Sequence, residues 1–292
     1  MRHPRVLPSA ALLLSASLLL AGCTAADATP APTPSPTPTI PVPDHIVVIL
    51  EENEPADHVL GDDDAPYLNE LAAAGAVATN YSAITNPSLP NYVALTSGST
   101  NGITTDCLPA DCGVDVPNLA DRVEAAGLTW KIYGEGMPQP CSTGSTGNYA
   151  PRHIPFLYYR DISGDSSRCR QHVVPYEQLA TDLADDRLPS LAFVTPDLCN
   201  DMHNCDIATG DTWLSQEVPK LLQSPGFGGD SLLVVTFDEG TAKHNDVATV
   251  FAGSLARSGA TSDVAYSHYS LLHTIESLWK LAPSPRTTGA RR

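Results

Sequence analysis

Two uninterrupted apolar runs constrain this chain more than any other feature. Residues 45–50 read H-I-V-V-I-L and residues 231–237 read S-L-L-V-V-T-F. Neither alternates polar with apolar residues, and both are rich in β-branched side chains. That is the pattern of strands covered on both faces, as in parallel sheets with helices packed on either side. Leu191 to Thr195 and Thr129 to Tyr133 add two more strands, and Val77 to Tyr81 and Val247 to Ala252 two short ones. Helical patterns fall between them, at Asp63 to Leu71, Pro117 to Ala126 and Asp211 to Leu222. A last helix opens at Ser267-His268, with Leu271, Leu272, Ile275 and Leu278 on one face. Such alternation predicts a doubly wound α/β domain with a mainly parallel sheet flanked by helices. Between about 134 and 172 the pattern breaks down, which predicts a long irregular insertion over the sheet face. The insertion carries Arg152 and Arg160, either of which can meet a phosphate or stay solvated.

The ends of the chain read differently. Arg2 and Arg5 precede an apolar run from Ala10 to Leu20, too short for a membrane span and suited to a signal-peptide core. It ends in L-A-G-C, which resembles the bacterial lipobox. Residues 1–22 are therefore expected to be removed and Cys23 lipidated, with plain secretion as the alternative. Residues 23–43, rich in Pro, Thr and Ala, make an extended tether. The expected domain spans 44–283, followed by a tail of 284–292. The protein is thus expected outside the cell, meeting the membrane through the anchor at Cys23. Its 33 acidic against 16 basic residues argue against nucleic acid as a partner. Six cysteines follow Cys23. In an exported chain they read as disulfides, and loop length favours Cys107–Cys112, Cys141–Cys169 and Cys199–Cys205. Zinc-thiolate binding is the competing reading, but no paired CxxC spacing supports it.

A parallel sheet sends its strand ends to one rim, where ligands collect. Here the ends are chemically dense. The first strand runs into Glu51-Glu52-Asn53, and the late strand into Asp238-Glu239-Gly240. The strand at Leu191 to Thr195 runs into Asp197 and the crowded D-M-H-N-C of 201–205. Carboxylates beside an amide suit a hard divalent cation. Residues 85–98, T-N-P-S-L-P-N-Y-V-A-L-T-S-G, put Ser88 at or just ahead of a helix start. Free N–H groups there can hold an anion while the hydroxyl attacks it. The same residues also suit a serine that merely caps a helix. The G-D-S-L of 229–232 matches an esterase string, but it enters a late strand and is read as coincidence.

Taken together and in order, V-V-I-L-E-E-N, N-P-S-L-P-N-Y-V-A-L-T-S-G, D-M-H-N-C, F-D-E-G and Y-S-H-Y-S-L-L-H-T-I-E resemble the bacterial and fungal acid phosphatase/phospholipase C phosphoesterase family. That family belongs to the alkaline-phosphatase-like superfamily, and the resemblance covers roughly residues 44 to 282. It implies a phosphate ester substrate and a nucleophile, Ser88, that becomes phosphorylated. It implies a divalent cation, one per chain, on Glu52, Asn53, Ser88, Asp238 and Glu239. His203 falls at the general-acid position. Asp197 and His268 fall where two-metal relatives keep ligands for a second ion, or near the leaving group. A phosphomonoesterase of acid phosphatase type is the expected activity. A phospholipase C-type phosphodiesterase is the alternative, disfavoured by an aromatic content of 6%. A non-catalytic lipoprotein that binds a partner through the insertion is a third reading.

Overall fold

The computed structural model describes residues 40–285. The expected signal peptide, Cys23, most of the tether and most of the tail lie outside them. Among the described residues no helix is long and apolar enough to cross a membrane.

The strands are β1 (His45–Glu51), β2 (Ala76–Ala78), β3 (Tyr81–Ser82), β4 (Trp130–Gly134), β5 (Val173–Pro175), β6 (Leu191–Thr195), β7 (Ser231–Phe237), β8 (Thr249–Ala252), β9 (Ala260–Ser262) and β10 (Tyr266–Ser267). Eight of them form one sheet in the order β5-β4-β6-β1-β7-β8-β2-β9. From β5 to β7 every pairing is parallel. β8 runs antiparallel to both β7 and β2. The mainly parallel sheet is therefore as expected, with one reversed strand toward an edge.

The two long apolar runs lie side by side at its centre. β1 pairs with β7 over its whole length, from His45 opposite Ser231 to Glu51 opposite Phe237. Apart from His45, every residue of the two strands is buried, because helices cover both faces. Their C-terminal ends are level, so Glu52 and Asp238 emerge at the same height, with the Asp238 N–H on the Glu51 carbonyl at 3.0 Å. Ser231 lies at the other end of β7, its hydroxyl on the Gly228 carbonyl at 2.8 Å, so the G-D-S-L string is structural.

Several expectations change, and the helix expected from Asp211 begins earlier, at Ile207. The strand expected at Val77 to Tyr81 is two: β2 joins the main sheet, while β3 pairs with β10 in a separate ribbon. The helix expected from Pro117 starts at Leu119, because Asn118 and Asp121 form a reciprocal capping box there. The insertion is not irregular throughout. Phe156, Leu157, Tyr158 and Tyr159 are fully buried. They pack as short turns, Pro151–His153 and Pro155–Tyr158, followed by the helices Arg160–Ser163 and Ser166–His172. No hydrophobic period announces such turns. Beyond the insertion, β5 and the helix Glu177–Ala184 were not anticipated.

The six cysteines after Cys23 form the three favoured disulfides, which leaves no free thiolate for zinc among the described residues. Cys141–Cys169 closes most of the insertion, 28 residues apart. Replacing both with Ser is expected to cost about 3 kcal/mol in urea unfolding, from restored unfolded-state entropy. A loss below about 1 kcal/mol would mean that the buried aromatics hold the insertion alone.

Candidate active site

The helix Ser88–Ser97 begins at Ser88 itself, and all ten of its residues are buried. Asn91 holds the turn ahead of it. Its Oδ1 accepts the N–H groups of Ile84 and Thr85 at 2.9 and 3.1 Å, and its Nδ2 donates to the Thr85 carbonyl at 2.8 Å. A side chain thus does what no backbone pair can do beside two prolines. The Ser88 hydroxyl is held facing the rim and donates to Glu52 Oε2 at 3.1 Å.

The rim acids are buried. Asn53 sits at φ 58°, a left-handed conformation that Asn tolerates better than most residues. Its N–H reaches Asp238 Oδ1 at 3.3 Å, and the Glu239 N–H reaches the same oxygen at 2.6 Å. Glu239 Oε2 accepts from Asn91 Nδ2 at 3.3 Å. Buried oxygens are left over, among them Asn53 Oδ1 and Asp238 Oδ2, which have no hydrogen-bond partner. Orphaned buried oxygens are costly unless something else satisfies them. Burial and the neighbouring carboxylates push Glu52 and Asp238 well above the usual carboxylate range, and burial lifts Glu239 to about 7. An amide oxygen, two crowded carboxylates and a hydroxyl, with unspent lone pairs, are the donor set of a hard divalent cation.

Glu52 also faces a second group. Tyr92 donates its hydroxyl to Glu52 Oε1. His153 Nε2 lies 3.3 Å from that oxygen, and His153 Nδ1 lies 3.2 Å from Asp201 Oδ2. The rings of Tyr92 and His153 stack at 5.4 Å. One ligand atom each from Glu52, His153 and Asp201 lies within 4.8 Å of the others, so this trio too can hold a metal. Burial drives the His153 pKa well below its ordinary value, helped by Arg152 and His203, and lifts Asp201 to about 8. Sequence reasoning assigned no site role to His153, Asp201 or Tyr92. The one signal for Asp201 was its place in the crowded disulfide loop; His153 had none inside an aperiodic insertion.

His203 belongs to the same rim. Its N–H donates to Asp201 Oδ1 at 2.8 Å, and its ring lies 6.0 Å from that of His153. Arg152 donates to His203 Nε2 at 3.2 Å, while Arg160 bonds elsewhere, to the Gly113 carbonyl at 3.1 Å. Asp197 is turned into its own loop, with Oδ1 on the N–H groups of Cys199 and Asn200 at 2.9 and 3.1 Å. His268 has both ring nitrogens engaged, Nε2 on the Asp238 carbonyl at 2.5 Å and Nδ1 with the Tyr81 hydroxyl at 3.0 Å. Burial holds its pKa down at about 4, so it supports the Asp238 backbone as a neutral ring. Neither nitrogen is left over for a second ion.

A sequence model described as the Phosphoesterase family matches residues 62–260. The chain belongs to the phosphoesterase family. It is a hydrolase of phosphoric esters, similar to acid phosphatases. This phosphoesterase is 36% identical over 248 residues to a phosphatidylinositol-3-phosphatase of Mycobacterium tuberculosis, covering 84% of this chain and 80% of that one. It is 33% identical over 227 residues to an acid phosphatase of Aspergillus fumigatus, covering 72% of this chain and 50% of that one. The phosphoesterase thus spans about half the length of that fungal relative. Its fold is that of a protein in the alkaline phosphatase superfamily from Vibrio parahaemolyticus, with a TM-score of 0.62, 16% identity, and coverage of 85% of this chain and 69% of the other.

Proposed function

We propose that this phosphoesterase is a metal-dependent phosphomonoesterase of acid phosphatase type that works through a phosphoserine at Ser88. One juxtaposition supports it above all: the Ser88 hydroxyl, at a helix start, bonds Glu52 beside the unpartnered oxygens of Asn53 and Asp238. Glu52, Asn53, Ser88, Asp238 and Glu239 would hold the cation, with His153 and Asp201 on the far side of Glu52. Bound there, the cation would offset the carboxylate charge, favour the ionised serine and draw in phosphate.

The chain's own groups account for the rest. Ser88 Oγ forms a bond to phosphorus as the ester P–O bond breaks. Glu52, already the acceptor of the serine hydrogen bond, takes the proton. His203 supplies a proton to the departing alcohol oxygen. Water then gives a proton to His203 as it attacks phosphorus, Glu52 returns its proton to Ser88 Oγ as the Oγ–P bond breaks, and inorganic phosphate leaves. The helix N-terminus at Ser88 favours the anion throughout. Three disulfides suit an exported enzyme. With them we propose the lipidated Cys23, the tether and a catalytic domain of 44–283.

A panel of p-nitrophenyl phosphate, bis(p-nitrophenyl) phosphate, phosphatidylinositol 3-phosphate and phosphatidylcholine, run across divalent metals, tests the reading. The expected result is turnover of the two monoesters, with little on the diester and none on phosphatidylcholine. Diacylglycerol release from phosphatidylcholine would replace it with the phospholipase C reading. Silence on every substrate with every metal would leave a binding protein.

A further inference from the structure

A phosphomonoester brings two negative charges to a rim already lined by Glu52, Asp201, Asp238 and Glu239. Among the described residues, Arg152 is the Arg or Lys side chain that hydrogen-bonds to this cluster, through His203 Nε2 at 3.2 Å. Its Nε lies 3.9 Å from Asp106 Oδ2, too far for a hydrogen bond. Asp106 in turn accepts the N–H of Leu89, the residue after Ser88, at 2.9 Å. The guanidinium thus hangs between the leaving-group side and the nucleophile turn, with its side chain 24% exposed.

Its donors are also underspent. Arg168 shows what a structural arginine looks like here, with carboxylates of Asp161, Asp121 and Glu124 at 2.6, 2.7 and 3.1 Å. Arg152 has five N–H donors in a rigid fork and spends one of them, on a neutral ring nitrogen. A guanidinium fork matches phosphate oxygens far better than it matches an imidazole. While Arg152 donates to Nε2, that nitrogen accepts and carries no proton for a leaving group.

We propose that Arg152 binds the non-bridging oxygen that a phosphomonoester has and a diester lacks, and so sets the preference for monoesters. The incoming phosphate takes the guanidinium from His203, which frees Nε2 to take a proton from solvent and turn it toward the departing oxygen. This rests on the phosphomonoesterase reading above.

The test compares Arg152→Gln and Arg152→Lys with the wild type, each loaded with metal. Substrates are p-nitrophenyl phosphate and bis(p-nitrophenyl) phosphate, and inorganic phosphate serves as the competing ligand. In Arg152→Gln, the KM for the monoester and the inhibition constant of phosphate are both expected to rise about 10- to 100-fold, the weight of charge-assisted hydrogen bonds. The kcat/KM on the diester should fall by less than about 3-fold, because that oxygen is absent. Arg152→Lys keeps the charge without the fork and should recover part of the monoester preference. An equal loss on both esters, or unchanged phosphate inhibition, overturns the inference while leaving the phosphomonoesterase reading intact. If Arg152→Gln does not fold, a wild-type monoester-to-diester ratio in Arg152→Lys overturns it. A wild type silent on both esters ends the parent reading and this inference with it.

Discussion

Ser88→Ala is expected to lower kcat on p-nitrophenyl phosphate by at least about 10⁴-fold while the domain melts within a few degrees of the wild type. A nucleophile that forms a covalent intermediate has no substitute within reach, so its removal costs most of the rate. Ser88 is 2% exposed, and its hydroxyl donates to Glu52. Losing that bond costs about 1 kcal/mol, a shift of about 2–4 °C for a domain of this size. Metal content should stay near the wild-type value, because the other donors on Glu52, Asn53, Asp238 and Glu239 remain. A variant that keeps a tenth of the wild-type rate, with a normal melting temperature, would remove Ser88 from the chemistry. Ser88→Thr is the informative companion, since it keeps a hydroxyl and adds one methyl group to a buried turn.

Removing the proposed cation should act on activity and stability together. Exhaustive chelation is expected to abolish turnover, and re-addition of a divalent metal to restore it. The metal-free protein should also lose stability as pH rises from about 6.5 to about 8. The sign follows from the carboxylates. Asp201 is pushed up to about 8 and Glu239 to about 7, each first by burial. Glu51, Glu52 and Asp238 are also driven well up by burial and mutual repulsion. A raised folded-state pKa means that the native state holds protons which the unfolded chain has already released. The stability it contributes is present at low pH and lost as pH climbs through the folded value. Below about 6.5 the buried His153 and His268, whose pKa values are depressed, act in the opposite sense. The window from 6.5 to 8 therefore isolates the acids. Metal should flatten the slope there by holding the carboxylates ionised. Melting curves with and without metal that follow the same pH profile would mean that these oxygens never meet a cation.

Much of this was written locally. Runs such as I-V-V-I-L and L-L-V-V-T-F leave few options beyond buried parallel strands, and acids that follow such strands must reach a common rim. The two prolines around Ser88 mark a helix start, and short cysteine spacings mark their own disulfides. Local sequence determines these features because period, propensity and short-loop entropy act over a few residues. The rest required the folded chain. His153 becomes a site residue only because the aromatic turns of 155–159 bury the insertion against the helix Ser88–Ser97 and lay its ring on Tyr92. Arg152 meets His203 and Arg160 does not, although both stand in the same stretch of sequence. His268 faces the back of Asp238, with both nitrogens taken up by a carbonyl and a tyrosine from other elements. Such outcomes depend on which buried polar atom finds a partner from tens to hundreds of residues away. Tertiary packing alone settles that, because a buried group takes whichever partner the surrounding elements bring within about 3 Å.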